Sequence, residues 1–195
     1  MRRVLLSVAA LLAVACQAQA QGSGKPVRLG VLTDMSSVYS DLSGPGSAEM
    51  VKLAIEDAGD KILGRPVELL VADHQNKPEI GATIARQWYD SGVDAILDVP
   101  NSAVAFAVSN IAREKNKVLL ASGAGSSDLT GKACSPNTIQ WTYDTYAISK
   151  SIGTALTQAG DASWFFITAD YAFGHALESD TAAIVKQAGG RVLGQ

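Results

Sequence analysis

Four short apolar runs, separated by three segments of helical period, constrain this chain more than any other feature. Val27–Leu32, Val67–Val71, Ala95–Val99 and Val118–Ala121 are rich in Val, Leu and Ile. Runs of this kind read as strands buried on both faces. Between them, Ala48, Val51, Ile55 and Ala58 recur on one helical face, as do Ile80, Ile84 and Trp88, and then Val104, Val108 and Ile111. Strands separated by single helices form parallel units with right-handed crossovers and helices on both faces of the sheet. The expected fold class is therefore α/β, a doubly wound parallel sheet over residues 26–142. The first strand ends in a polar loop, Thr33 to Ser43, and the expected first helix runs from Ser47 to Ala58.

The pattern then begins again. Thr138 to Trp141 is a short strand, and Tyr143-Asp144-Thr145 a crossing into a helix with Ala147, Ile148, Ile152, Ala155 and Leu156 inward. Trp164 to Ala169 is an apolar strand. Gly174 to Ala188 is a helix with Leu177, Ile184 and Val185 inward, and Arg191 to Leu193 opens another strand. A sheet this small leaves apolar faces uncovered. The expectation is a partial second α/β lobe over 143–195, in a chain that is a fragment or whose remainder another chain supplies.

The start of the chain reads as a secretory signal peptide over residues 1–20. Met1-Arg2-Arg3 is basic, Val4 to Ala15 is apolar but too short to span a bilayer, and Ala18-Gln19-Ala20 is a small-x-small cleavage site. Cys16 sits in a degenerate lipoprotein box, and cleavage after Ala20 is preferred over lipidation there. The protein is thus expected outside the cytoplasm, in the periplasm. A net charge of −3 argues against nucleic acid as a partner. Without Cys16 the only cysteine is Cys134, a free thiol or half of a disulfide whose partner lies beyond Gln195.

Enzymatic chemistry is poorly provided for. Gly22-Ser23-Gly24-Lys25 lacks the spacing of a phosphate loop, and neither Gly44-x-Gly46 nor Gly123-x-Gly125 has the third glycine of a dinucleotide fingerprint. His74 and His175 are the only histidines. Both read as surface residues, and Ser102, Ser122 and Ser126 have no nucleophile elbow around them. No catalytic residue, no metal ligand set and no cofactor site is expected. The hydroxyls and small residues at the strand ends are better suited to binding: Ser36, Ser37, Tyr39 and Ser40, then Asn101 and Ser102, then Ser122 to Ser126. A carboxylate held by hydroxyls and helix N-termini needs no arginine. Tyr39 offers an apolar wall with a hydroxyl, and Ser102 is expected to cap its helix.

Taken in order, LGVLTDMSSVYSDLSGPGS, DVPNSAVAFAV, LLASGAGSSDLTG and ADYAFGHAL resemble the type I periplasmic solute-binding proteins of the leucine/isoleucine/valine-binding group, which feed ATP-driven importers. The resemblance covers Pro26 to the end. It implies two lobes joined by three crossings, a ligand trapped between them by closure, and a membrane permease as partner. It implies a monomer at full length. By position, Tyr39 matches the first binding loop and Ser102 the serine that contacts a carboxylate. Ala124, Gly125 and Ser126 match the loop that holds carboxylate and ammonium. Phe173, in Tyr171-Ala172-Phe173-Gly174, stands where amino-acid binders of the group usually have tyrosine. The family's acidic residue for the ligand's ammonium would lie beyond Gln195. The wording of DMSSVYSDLSGPGS and ACSPNTIQWTYDTYA is also similar to relatives that bind aromatic carboxylates. The implied ligand is a small carboxylate, either a branched-chain amino acid or an aromatic or other organic acid. Two other readings are a ligand-sensing ectodomain on the same fold and an exported α/β hydrolase.

Overall fold

A computed structural model describes residues 24–195. The expected signal peptide, its cleavage after Ala20 and the lipobox cysteine Cys16 lie outside the described residues.

The α/β architecture is as the periodicity predicts. The strands are β1 (Val27–Thr33), β2 (Lys61–Ile62), β3 (Arg65–Asp73), β4 (Ala95–Asp98), β5 (Val118–Ala121) and β6 (Thr138–Gln140). They form one sheet in the order β2-β3-β1-β4-β5-β6, parallel except for the β2–β3 pair. The short antiparallel β2 was not foreseen. It pairs back on β3 through a turn at Leu63 and Gly64, both in the left-handed region. Helices α1 (Gly44–Asp57), α2 (Pro78–Asp90) and α3 (Ser102–Glu114) follow β1, β3 and β4. The core lies between the sheet and α2 and α3. There Leu32, Ile96 and Leu119 meet Ala85, Val104 and Val108, all fully buried.

The first helix starts earlier than predicted. Gly44-Pro45-Gly46 is already helical, with Pro45 in the first turn, where its missing N–H costs nothing. Gly44 is required there. Its φ is 42°, and a Cβ would lie 2.9 Å from the Asp34 carbonyl oxygen. Ala48 is buried on α1, but Val51 and Ile55 are only half covered.

The second unit holds helices α4 (Thr145–Gln158) and α5 (Ala172–Gln187), with β7 (Ser163–Phe165) parallel to β8 (Arg191–Gly194). Two expectations are corrected here. The strand predicted over Trp164 to Ala169 is only the three residues of β7, and the chain leaves the sheet after Phe165. The face of α4 is also different. Thr145, Ser149, Gly153 and Thr157 are buried, whereas Ala147, Ile152, Ala155 and Leu156 are exposed and Ile148 is half-buried. Small residues at four-residue spacing let α4 lie close to α5. A Cβ on Gly153 would be 3.2 Å from Ile184 Cγ2, and Ser149 Oγ is 2.8 Å from Thr181 Oγ1. The apolar residues Ile148 and Ile152 instead line an open cavity of about 400 Å³ with Trp164, Phe166, Ile167 and Leu177. No helix among the described residues is long and apolar enough to cross a membrane.

Candidate ligand cleft

The loop after β1 is folded around two carboxylates. Asp34 is fully buried. It accepts from the backbone N–H of Ser37 at 3.0 Å and of Tyr39 at 2.9 Å, and from Ser37 Oγ at 2.5 Å. Asp73, at the end of β3, accepts from the Met35 and Gln75 N–H groups and from Ser36 Oγ. Such Asx-type bonds tie a polar loop into one conformation. Burial pushes the pKa of each carboxyl up. The bonds from Ser37, Tyr39 and Ser36 to Asp34 outweigh it, as do those from Ser36, Met35 and Gln75 to Asp73, and both groups are held below the usual carboxylate range. The product of this framework is a fixed Tyr39.

His74 differs from the sequence reading. It is not a solvated loop residue but is fully buried beneath that loop. Its Nδ1 accepts from the Asn76 N–H at 3.0 Å, so the neutral ring carries its proton on Nε2, which has no partner. Asn76 Oδ1 in turn accepts from Asn101 Nδ2 at 2.6 Å. Asn101, and not Ser102, caps α3, its Oδ1 accepting from the Ala103 and Val104 N–H groups. Ser102 is the first helical residue and is buried. Its Oγ accepts from the Ser126 N–H at 3.2 Å.

The loop after β5 is bolted from several sides. Gln140 Nε2 donates to the Ala124 carbonyl at 3.0 Å. The Thr145 N–H donates to the Gly125 carbonyl at 2.8 Å. Ser126 caps the short 3₁₀ turn at Ser127–Leu129. Ser127 Oγ and Thr145 Oγ1 both donate to Asp180 Oδ2 on α5, at 2.7 and 2.6 Å. Ala124 and Ser126 are fully buried.

Of the six residues singled out, Ser102, Ala124, Gly125 and Ser126 form one contiguous loop-and-helix corner, and Phe173 packs onto it. A Cβ on Gly125 would lie 3.1 Å from Phe173 Cε2 and 2.8 Å from Tyr143 Cε2, so glycine is what lets both rings approach. Tyr39 meets the group through a residue not singled out beforehand, Tyr171. The two phenol hydroxyls are in hydrogen-bond contact, their rings 6.5 Å apart, and Tyr171 stacks on Phe173 at 6.1 Å. Burial, then the contact with Tyr39, holds the Tyr171 phenol neutral well above its ordinary range. Tyr143 was the other omission. Both omissions had a sequence signal, since each aromatic stands one or two residues ahead of a helix start, where a side chain faces the strand ends. Tyr39, Ser102, Ser126, Tyr143, Tyr171 and Phe173 bring rings and hydroxyls together, and the carboxylates of Asp34 and Asp180 hold the loops that carry them. Among the described residues, no group of three or more His, Cys, Asp or Glu side chains is placed to hold a metal ion.

Loops of the first α/β unit thus meet the helix starts of the second around Gly125, Tyr143, Tyr171 and Phe173. The periplasmic binding protein family model matches residues 26–195, and the chain belongs to that family. Its members are solute-binding proteins of the periplasm. A periplasmic binding protein from Burkholderia mallei is 47% identical, with a TM-score of 0.85 over 87% of this chain and 46% of its own. A branched-chain amino acid ABC transporter periplasmic ligand-binding protein from Burkholderia xenovorans LB400 is 41% identical, with a TM-score of 0.74 over 86% of this chain and 45% of its own. A solute-binding protein of an R. palustris ABC transporter, in complex with benzoate, shares the fold at 24% identity and a TM-score of 0.76, over 87% of this chain and 47% of its own. The chain spans about half the length of these solved relatives. No curated protein matches it.

Proposed function

We propose that this chain is part of an extracytoplasmic solute receptor for an ATP-driven importer. Its ligand is a small carboxylate with an apolar body, a branched-chain amino acid or an aromatic acid, held between two lobes. The observation that carries this reading is the convergence of Tyr39 from the first sheet with Tyr143, Tyr171 and Phe173 around Gly125. Stacked neutral rings suit an apolar body, and the Ser102–Ser126 corner at the start of α3 suits a carboxylate. The contact partners come from both units, so a bound solute would stabilise their closed arrangement by its differential affinity for it. The description of the Burkholderia xenovorans protein as a branched-chain amino acid transporter component, and the benzoate in the R. palustris protein, support both ligand classes. The same family membership supports a periplasmic location and a membrane permease as partner.

The test is a thermal-shift screen with leucine, isoleucine, valine, benzoate and 4-hydroxybenzoate. It is run on this chain alone and on this chain joined to the part of the Burkholderia mallei protein that it does not cover. A ligand at a hundred times its Kd stabilises the folded state by about 2.7 kcal/mol, a shift of several degrees. The joined protein is expected to respond to one ligand class, and the chain alone weakly or not at all. A joined protein that melts cooperatively and ignores every carboxylate in the panel would sink the reading.

A further inference from the structure

Tyr39 and Tyr171 are carried by different units, and both mounts are rigid. Tyr39 belongs to the loop tied to buried Asp34, which accepts from its own N–H at 2.9 Å. The Tyr39 carbonyl in turn accepts from the N–H groups of Leu42 and Ser43, at 3.1 and 3.0 Å. Tyr171 stands in extended backbone just before α5. Its N–H donates to the Ala169 carbonyl at 2.8 Å, and its carbonyl accepts from the His175 N–H at 3.1 Å. Gly174 lets that turn close, since a Cβ there would collide with the Ala169 carbonyl oxygen. A side chain whose backbone is held on both sides has few places to put its tip.

The two tips meet. The phenol oxygens are in hydrogen-bond contact across 132 positions, with the rings tilted by 53°, so hydroxyls meet and ring faces do not. On its other side Tyr171 stacks on Phe173 with an interplanar angle of 29°. A hydroxyl has one proton to donate, and the bond between these two occupies the proton of one and a lone pair of the other. Burial, and then Tyr39, keep the Tyr171 phenol neutral well above its ordinary range, so its proton is present throughout the neutral pH range. A rotation of one unit against the other would separate the tips while leaving both mounts intact. Sequence alone offers the Tyr39 hydroxyl as a solute contact. In the structure that hydroxyl is engaged with the second unit, and the ring is what remains to form a wall.

We propose that the Tyr39–Tyr171 hydroxyl pair is a latch between the units, formed only when they are closed on each other, which sets how tightly a solute is held without touching it. This rests on the solute-receptor reading above. Tyr171 is then a positioning residue. A bond that exists in one of two arrangements shifts the equilibrium between them by its own free energy. The apparent affinity of any solute that requires the closed arrangement moves by the same factor. Indifference to the solute's chemistry is therefore the signature of a latch. A hydroxyl that touched the solute would instead discriminate between solutes.

The test uses phenylalanine, which keeps each ring and its stacking and removes only the hydroxyl. In the protein joined to the uncovered part of the Burkholderia mallei relative, affinities are titrated for leucine, isoleucine, valine, benzoate and 4-hydroxybenzoate. Tyr171→Phe is expected to weaken every solute that binds by one common factor, roughly three- to tenfold, as for one hydrogen bond between neutral groups. The loss is expected in the dissociation rate. Tyr39→Phe should match it, and the double variant should be no weaker than either single, because each single already breaks the bond. In the 195-residue chain, Tyr39→Phe is expected to quicken hydrogen exchange at residues 169–173, and Tyr171→Phe at residues 36–40, with α2 and α3 unchanged. The proposal is overturned if benzoate and 4-hydroxybenzoate, or the three amino acids, lose affinity by different factors. It is also overturned if the single losses multiply in the double variant, if neither variant loses affinity, or if each variant quickens exchange only in its own unit. If the parent binds no solute, the solute-receptor reading falls, and the exchange measurement alone decides whether the pair joins the units.

Discussion

His74 and Asp34 lie side by side beneath the Tyr39 loop and answer pH in separate windows. Burial pushes the His74 pKa below the ordinary value, against the attraction of Asp34 and Asp73. As pH falls through about 6.5 the unfolded chain takes up the proton first, so stability present above that pH is lost toward the lowered folded value. Asp34 and Asp73 are also lowered, and their contribution disappears only under more acid conditions, below the ordinary carboxylate pKa of about 4. The urea midpoint is therefore expected to fall between about pH 7.5 and pH 5, and His74→Gln to start lower but show a flatter slope. Equal slopes in parent and variant would remove His74 from this role. The histidine's position was not legible in the sequence. A polar residue after a strand is usually wet, and its burial depends on the 34–39 loop folding over it from forty residues upstream.

At the scale of elements, helix starts decide how the cleft is built. Asn101 ties the N-terminus of α3 to Asn76 and thereby to His74. Asn101→Ala should lower stability by about 1 kcal/mol for the cap alone, with a further loss for the orphaned Asn76. Asn101→Asp should keep the cap and recover most of the first term, and equilibrium urea unfolding separates the two. Periodicity found the buried faces of α3 and, at Ile184 and Val185, of α5, because there apolar residues are the ones that pack; on α2 the predicted Ile80, Ile84 and Trp88 are half-buried, and the fully packed positions are Gly81, Ala85 and Tyr89, one residue on. It failed for α4, where the closest approach to α5 is made by Thr145, Ser149, Gly153 and Thr157. A hydroxyl that finds a partner, as Ser149 does in Thr181, is buried at little cost, and a small side chain brings two helices closer than an isoleucine would. No period-based argument counts those residues as core.

For the molecule as a whole, Asp180 joins the two units. It holds Thr145 of the crossing and Ser127 of the first sheet's loop through one carboxylate oxygen. Asp180→Ala is expected to lower stability by about 1–3 kcal/mol, since bonds to a charged acceptor are the stronger kind. Hydrogen exchange should quicken at residues 142–146 while α3 is unaffected. Uniform quickening across the chain would instead mean that Asp180 serves overall folding. The α/β class, the strand–helix order and the loops that carry the candidate site were all determined by the sequence itself, because apolar period, turn residues and caps act over a few neighbours. Which side chains meet was decided only by tertiary structure. Tyr39 touches Tyr171 across 132 positions, Gly125 makes room for Tyr143 and Phe173, and Asn101 displaces Ser102 as a cap. Each of these depends on where a distant segment packs, and local residue patterns hold no information about that distance.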